Sequence, residues 1–201
     1  MEPEPTRELF EQLVGEIVRA PERRAELEQT IQKIFSRRKA ILALDMCGFS
    51  RTTRTHGIVA FLVMIHEMKQ LCAPVVAAHR GVQVKAEADN LFCLFDSVAD
   101  ALATARDIQA RCLAANLERP AERALHAAIG IGFGDTLYVG EEDLHGDEMN
   151  IACKLGEDVA ARGEILFTPA AHAALPAGAV RATPLTVSIS GLKLDYFKAE
   201  L

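Results

Sequence analysis

Two aspartates, Asp45 and Asp89, sit at the edges of apolar strand-like runs, Ala40-Ile-Leu-Ala-Leu-Asp-Met-Cys-Gly-Phe-Ser50 and Val84-Lys-Ala-Glu-Ala-Asp-Asn-Leu-Phe-Cys-Leu-Phe95. Carboxylates held at strand ends are hard oxygen ligands. They suit Mg²⁺ or Mn²⁺, ions that keep part of their water and bind nucleotide phosphates. The pair therefore points to a two-metal phosphate site. Gly48, just after Asp45, leaves room for a phosphate to approach backbone N–H groups. Taken singly, each aspartate also fits a turn or a helix cap.

The elements that must position these residues belong to a chain of 201 residues, long enough for one well-buried domain plus an appendage. No uninterrupted apolar run approaches the roughly 18 residues that cross a bilayer, and the acidic opening Met1-Glu-Pro-Glu-Pro5 lacks a basic n-region. A cytoplasmic protein is expected. Five cysteines, an odd number without CxxC spacing, indicate neither a disulfide framework nor a zinc site. A net charge of −6 argues against nucleic-acid or anionic-membrane partners. An anionic ligand must then be met by a local cation or a metal.

From Thr6 to Phe35, apolar residues recur at helical spacing, and Pro21 divides the stretch into two helices. This segment, residues 1–37, is expected to make a dimer or regulatory contact, with packing on its own domain as the alternative. The unit from 38 to 201 begins after the charge run Arg37-Arg-Lys39, expected to be solvated. A strand over 40–46 is followed by a helix over roughly 55–78, with Phe61, Leu62, Ile65, Met68 and Leu71 on one core-facing side. Strands over 82–86 and 90–95 flank a tight turn before a helix over 96–116. Strands near 125–132 and 136–140 come next, then a helix from Gly146 to about Ala161. A strand over 164–167, a short helix from Pro169 and strands around 180–188 and 194–199 end the chain. The order β-α-β-β-α-β predicts an α+β, ferredoxin-like palm core, an antiparallel sheet with helices on one face, plus extra C-terminal elements. Gly130, Gly132 and Gly134 read G-x-G-x-G within strands, a pattern of strand kinking and close packing rather than a dinucleotide fingerprint.

A second informative stretch runs from Asp143-Leu-His-Gly-Asp-Glu-Met-Asn-Ile-Ala-Cys-Lys-Leu155 to Gly163-Glu-Ile-Leu-Phe-Thr168. With Asp45-x-x-Gly-Phe-Ser and Lys85-x-x-x-Asp89 before it, this pattern resembles the class III adenylate/guanylate cyclase catalytic domain. The resemblance covers about residues 38–200. It implies that Asp45, Asp89 and the Met46 carbonyl bind metal, two Mg²⁺ or Mn²⁺ per site, and that Gly48, Phe49 and Ser50 cradle the triphosphate. Lys85 and Asp143 match the adenine readers, where guanine-selective relatives carry Glu and Cys. Asn150 matches the ribose-orienting residue, and Lys154 stands where the family usually has an arginine. The family further implies a homodimer, since metals and base readers of one site come from different subunits.

The implied reaction converts ATP to cyclic AMP and pyrophosphate. Lys154 keeps the charge but lacks arginine's planar fork, so weak activity or a lysine-suited substrate geometry is expected. Glu87 stands where the family usually has an apolar residue. It shares a face with Lys85 and Asp89 in an extended segment, so it pairs with Lys85, acts as a third metal ligand, or points to solvent. His126 and His145 are weaker candidate bases, read as structural or solvent-facing, and Lys193 reads as a solvated lysine. Two other functions fit the same residues. One is a catalytically silent nucleotide- or metal-binding module that acts on a regulatory partner through the N-terminal helices. The other is a different phosphoryl-transfer enzyme on the same palm.

Overall fold

The structure, a computed structural model, describes residues 3–140, 143–189 and 191–200, and at 49–52 the backbone only. Two helices open the chain, α1 (Arg7–Arg19) and α2 (Arg24–Phe35), broken at Pro21–Arg23 as Pro21 predicts. Thr6 caps α1 by accepting from the Leu9 N–H. Leu13, Leu27, Ile31 and Phe35 form a buried cluster with Val139, and Phe10 packs edge-on against Phe35 at 5.3 Å. The N-terminal segment therefore packs on its own sheet.

The sheet is built from β1 (Ser36–Met46), β2 (Val82–Glu87), β3 (Asn90–Phe95), β4 (Ala127–Val139), β5 (Asp143–His145), β6 (Ile165–Phe167), β7 (Ala182–Ile189) and β8 (Leu192–Ala199). The order is β2-β3-β1-β4-β6-β8-β7, with β5 paired to β4. Neighbours among the first four strands are antiparallel, in the ferredoxin-like order that the sequence predicts, and β6 adds parallel to β4. The charge run Arg37-Arg-Lys39 belongs to β1, with the two arginines exposed and Lys39 paired to Asp96.

The helix expected over roughly 55–78 is α4 (Ile58–Ala78), and a further helix that was not expected, α3 (Phe49–His56), precedes it, separated at Gly57 with φ 82°. With α5 (Val98–Asn116), α4 covers one sheet face, burying Phe61, Met64, Ile65 and Met68 against Leu42, Leu44 and Ile129. Leu62, expected in that core, is instead 54 % exposed beside Ile58, Val59 and Val63. α4 is the one described helix long and apolar enough to cross a membrane by length and composition, and its buried face is part of this core.

The opposite face carries α6 (Asp147–Lys154), packed on Ile41, Ala43 and Phe92. Helices therefore flank both faces, which corrects the one-face expectation and explains why residues 40–44 are apolar without alternation. Close approach of α6 also explains the alternate glycines: a Cβ on Gly130 would lie 2.1 Å from the Ala152 carbonyl oxygen. Because β4 runs unbroken through these glycines, the two strands expected over 125–140 are one. The helix expected to reach Ala161 passes at Leu155 into a π-helical turn, Leu155–Val159. α7 (Pro169–Ala173) follows β6, with its Thr168 cap accepting from the Ala171 N–H.

Candidate active site

β1 ends at Asp45 and Met46, and the Met46 N–H donates to the Asp89 carbonyl at 3.2 Å. That bond ties the two carboxylate-bearing segments together at one end of the sheet. Asp89 lies in the turn between β2 and β3, where Ala88 adopts a left-handed φ of 48°. Asp45 is half-buried, and its carboxyl is pushed up to about 6 from 3.8, first by burial and then by the charges of Asp89, Glu157 and Asp158. Burial and neighbouring carboxylates raise Glu157 as well. Crowded carboxylates without a neutralising cation resist ionisation, and a divalent ion removes that cost. Opposite Asp45 in the ladder stands Asn90, whose buried Oδ1 has no hydrogen-bond partner among the described residues. The donors at this end of β1 are thus hard oxygens, which fits Mg²⁺ or Mn²⁺.

Gly48 takes φ 107°, with open space where a Cβ would stand, and α3 begins at the next residue. The turn delivers the first N–H groups of α3 beside Asp45, an arrangement that favours anions. The backbone of Phe49 and Ser50 opens that helix, while their side chains lie outside those described. Next to the turn is a cavity of about 330 Å³, lined by Cys47, Gly48, His56, His126 and Arg162 among others. His126 uses its carbonyl to accept from the Cys47 N–H at 2.9 Å, and burial and Arg162 lower its imidazole's pKa. Both effects favour the neutral imidazole.

The second group of residues converges from β2 and β5. A bulge between Gln83 and Lys85 shifts the register, so that Lys85 pairs with Phe92 and Glu87 with Asn90. Phe92 packs on the α6 face, so Lys85 and Glu87 project there too. Lys85 Nζ lies 3.2 Å from Glu87 Oε2 and 3.5 Å from Asp143 Oδ1. Of the three readings of Glu87, the ion pair with Lys85 is the one present. Burial opposes ionisation of Asp143, but the Leu144 N–H at 2.9 Å, Lys85 and His145 outweigh it and hold the carboxyl below its usual range. The hydrogen bond from Lys85 to Glu87 is the main reason its ammonium is raised. His145 stacks on Phe10 at 5.8 Å and lies 3.7 Å from Asp143, a structural placement that joins α1 to β5. Lys193 is exposed at the start of β8.

Asn150 and Lys154 share the outward side of α6, one turn apart, while Met149 and Ala152 face the sheet. No hydrogen bond or ion pair joins either residue to Asp45 or Asp89 among the described residues. Four contributing residues escaped sequence reasoning. Glu157 and Asp158 approach Asp45 because the π turn seats Gly156 against the Ala43 backbone, two residues before Asp45. Arg162 enters the cavity beside Gly48. Glu148 anchors α6, its Oε2 accepting from the Phe133 N–H at 3.1 Å and the Thr168 hydroxyl at 2.7 Å. The only sequence signal for these was the acidic pair after Gly156.

No protein-family model matches the chain. A Rhizobium meliloti (strain 1021) protein, provisionally named adenylate cyclase 3, is 30 % identical over 141 residues, which is 70 % of this chain and 24 % of that protein. The chain thus spans about a quarter of that relative's length. The crystal structure of an adenylate/guanylate cyclase/hydrolase from Silicibacter pomeroyi is 26 % identical, with a TM-score of 0.69 over 82 % of this chain and 96 % of that one. The catalytic core of a rhodopsin-guanylyl cyclase with converted specificity, solved with ATPαS, has the same fold at 14 % identity. Its TM-score is 0.69 over 82 % of this chain and 98 % of that one.

Proposed function

We propose, from the premise that this chain is a divergent member of the class III adenylate/guanylate cyclase catalytic-domain family, that residues 38–201 convert ATP to cyclic AMP and pyrophosphate. The observation that carries the reading is the arrangement of two groups on one sheet face. Crowded Asp45 and Asp89 lie beside the α3 N-terminus, and the Lys85–Asp143 pair lies on the same sheet.

In this reading Asp45, Asp89 and the Met46 carbonyl hold the metal. Two Mg²⁺ or Mn²⁺ ions, when bound, lower the pKa of the attacking hydroxyl and stabilise the leaving oxygens. The Gly48–Ser50 turn receives the triphosphate on backbone N–H groups. Asp143 accepts from the adenine amino group, and Lys85 donates to the adjacent ring nitrogen. Asn150 orients the ribose so that its 3′ oxygen attacks the α-phosphorus. The bond from that phosphorus to the oxygen bridging to the β-phosphate breaks, pyrophosphate leaves with that oxygen, and the hydroxyl proton passes to water. Lys154 neutralises charge developing on the α-phosphate, without the bidentate contact an arginine supplies. Asn150 and Lys154 face outward from their own chain, which supports their delivery to a second subunit's metal site in a homodimer. The same reading places the protein in the cytoplasm.

Incubation with ATP or GTP and Mn²⁺, followed by quantification of cyclic product, tests the proposal. Cyclic AMP from the wild type that disappears in Asp45→Ala is expected. Absence of any cyclic nucleotide from a purified dimer overturns it. A second reading, a silent regulatory module, is favoured by Lys154 and by the docking of α1 on β5 through Phe10 and His145. Product from Lys154→Arg but not from wild type identifies that case.

A further inference from the structure

Glu87 is not absorbed by the reaction above, yet it projects to the α6 face of the sheet that carries the site. Its strand partner is Asn90, and Asn90's partner on the next strand is Asp45, so Glu87, Asn90 and Asp45 form one cross-strand row on one face. Two strand spacings, about 10 Å, separate Glu87 from Asp45 along that row. Its side chain is 68 % exposed, whereas those of Lys85 and Asp143 are 30 % and 24 % exposed. A carboxylate that only balanced Lys85 would duplicate Asp143, which already lies 3.5 Å from the same ammonium.

The three groups make an array in which two carboxylates share the Lys85 ammonium, Glu87 Oε2 at 3.2 Å and Asp143 Oδ1 at 3.5 Å. An ammonium has three N–H donors, and two carboxylates engage two of them, which leaves one for a ligand acceptor. Both carboxylates keep further lone pairs for ligand donors. Adenine offers an amino donor next to a ring-nitrogen acceptor, which fits Asp143 and Lys85. Guanine offers a carbonyl acceptor next to two N–H donors. That edge fits the same array shifted by one group: the carbonyl on Lys85 and both N–H groups on the Glu87 carboxylate, a charge-assisted bidentate contact.

We propose that Glu87 is a specificity-determining residue, a third base reader that lets the Glu87–Lys85–Asp143 array accept guanine as well as adenine nucleoside triphosphates. The inference rests on Lys85 and Asp143 as the base readers of the proposed cyclase site. It gives Glu87 a role that the Lys85–Asp143 pair alone does not supply.

Equilibrium binding tests it independently of turnover, by displacement of a fluorescent purine nucleoside triphosphate with ATP, GTP or inosine triphosphate in Mn²⁺. Wild type, Glu87→Ala and Glu87→Gln are compared, and circular dichroism checks that each variant is folded. The expected result is that wild type binds GTP within about tenfold of ATP. Glu87→Ala weakens GTP by about 10- to 100-fold, the range for losing a hydrogen bond to a charged group, and ATP by less than about threefold. Inosine triphosphate, which lacks the 2-amino group, loses less than GTP. Retained ATP binding with an unchanged ATP-to-GTP ratio in Glu87→Ala overturns the role of Glu87 and leaves the cyclase reading intact. Failure of every purine nucleotide to bind wild type overturns both.

Discussion

Lys85 Nζ meets Asp143 Oδ1 at 3.5 Å although 58 residues separate the two in the chain. The meeting depends on the bulge in β2, which turns Lys85 toward the α6 face, and on β5, which pairs with β4 to bring Asp143 to the same side. The Leu144 N–H fixes the same Asp143 oxygen at 2.9 Å, so the carboxylate is oriented before a ligand arrives.

Replacing Lys154 by arginine restores the planar fork at the end of α6. In the cyclase reading, Lys154→Arg raises ATP turnover by about 10- to 100-fold, since lost oxyanion-type donors cost rates of that order or more. Initial rates of cyclic AMP formation decide it, and an unchanged or lower rate argues that this site has adapted to lysine.

The pH dependence of stability follows from Asp45. Its folded value of about 6 lies above the unfolded 3.8, chiefly through burial and then the facing carboxylates Asp89, Glu157 and Asp158. A carboxyl raised in this way stabilises the fold at low pH, and that contribution is lost as pH rises through about 6. In metal-free protein, Asp45→Asn therefore melts above wild type near neutral pH, and the gap closes as pH falls toward about 4. Added Mn²⁺ narrows the gap by stabilising wild type. A pH-independent difference in Tm would contradict the crowded-carboxylate account.

Close packing of α6 on β4 leaves no room at Gly130. A methyl group there meets the Ala152 carbonyl oxygen at 2.1 Å and the Gly156 nitrogen at 2.8 Å, both backbone atoms. Gly130→Ala is expected to cost about 3 kcal/mol or more in urea denaturation, at the upper end of overpacking. Gly15→Ala is the control. Gly15 lies within α1, the nearest atom to its added Cβ is the Arg19 guanidinium at 3.8 Å, and the exchange stabilises by about 0.5–1 kcal/mol.

Strain in the β2–β3 hairpin that carries Asp89 is localised at Ala88, whose φ of 48° is left-handed. A side chain in that conformation costs about 1–2 kcal/mol, and part of the relief on removing it is returned through glycine's greater unfolded-state freedom. Ala88→Gly therefore raises the unfolding free energy measured in urea by a net of about 0.5–1 kcal/mol. A fall in stability shows instead that the turn's rigidity outweighs its strain.

Much of the core was legible because its signals are local. The run Ala40–Leu44, the breaks at Pro21 and around Ala88 and Asp89, and the apolar pattern of 90–95 each fix a strand, a helix end or a turn from neighbouring residues alone. The same run also signalled that both sheet faces are covered, since a half-exposed strand alternates, but α6 was not recognised as the second cover. Helical spacing places Leu62 in the core although the side chain is exposed, because spacing gives the width of an apolar stripe but not which part of it finds a partner.

By itself, the sequence supplied candidates for chemistry: Asp45 and Asp89 at strand edges, the glycine turn after Asp45, and, through the resemblance they carry, Lys85, Asp143, Asn150 and Lys154. Only the tertiary structure decided how they act on one another. It decided that Glu87 joins Lys85, that Glu157 and Asp158 crowd Asp45, and that β4 gives up alternate side chains so that α6 can sit on its backbone. The physical reason is distance along the chain. Residue type and local spacing set intrinsic charge and secondary structure, whereas pKa, ion pairing and close approach depend on groups tens of residues away that a bulge, a π turn and a strand register bring within a few ångströms.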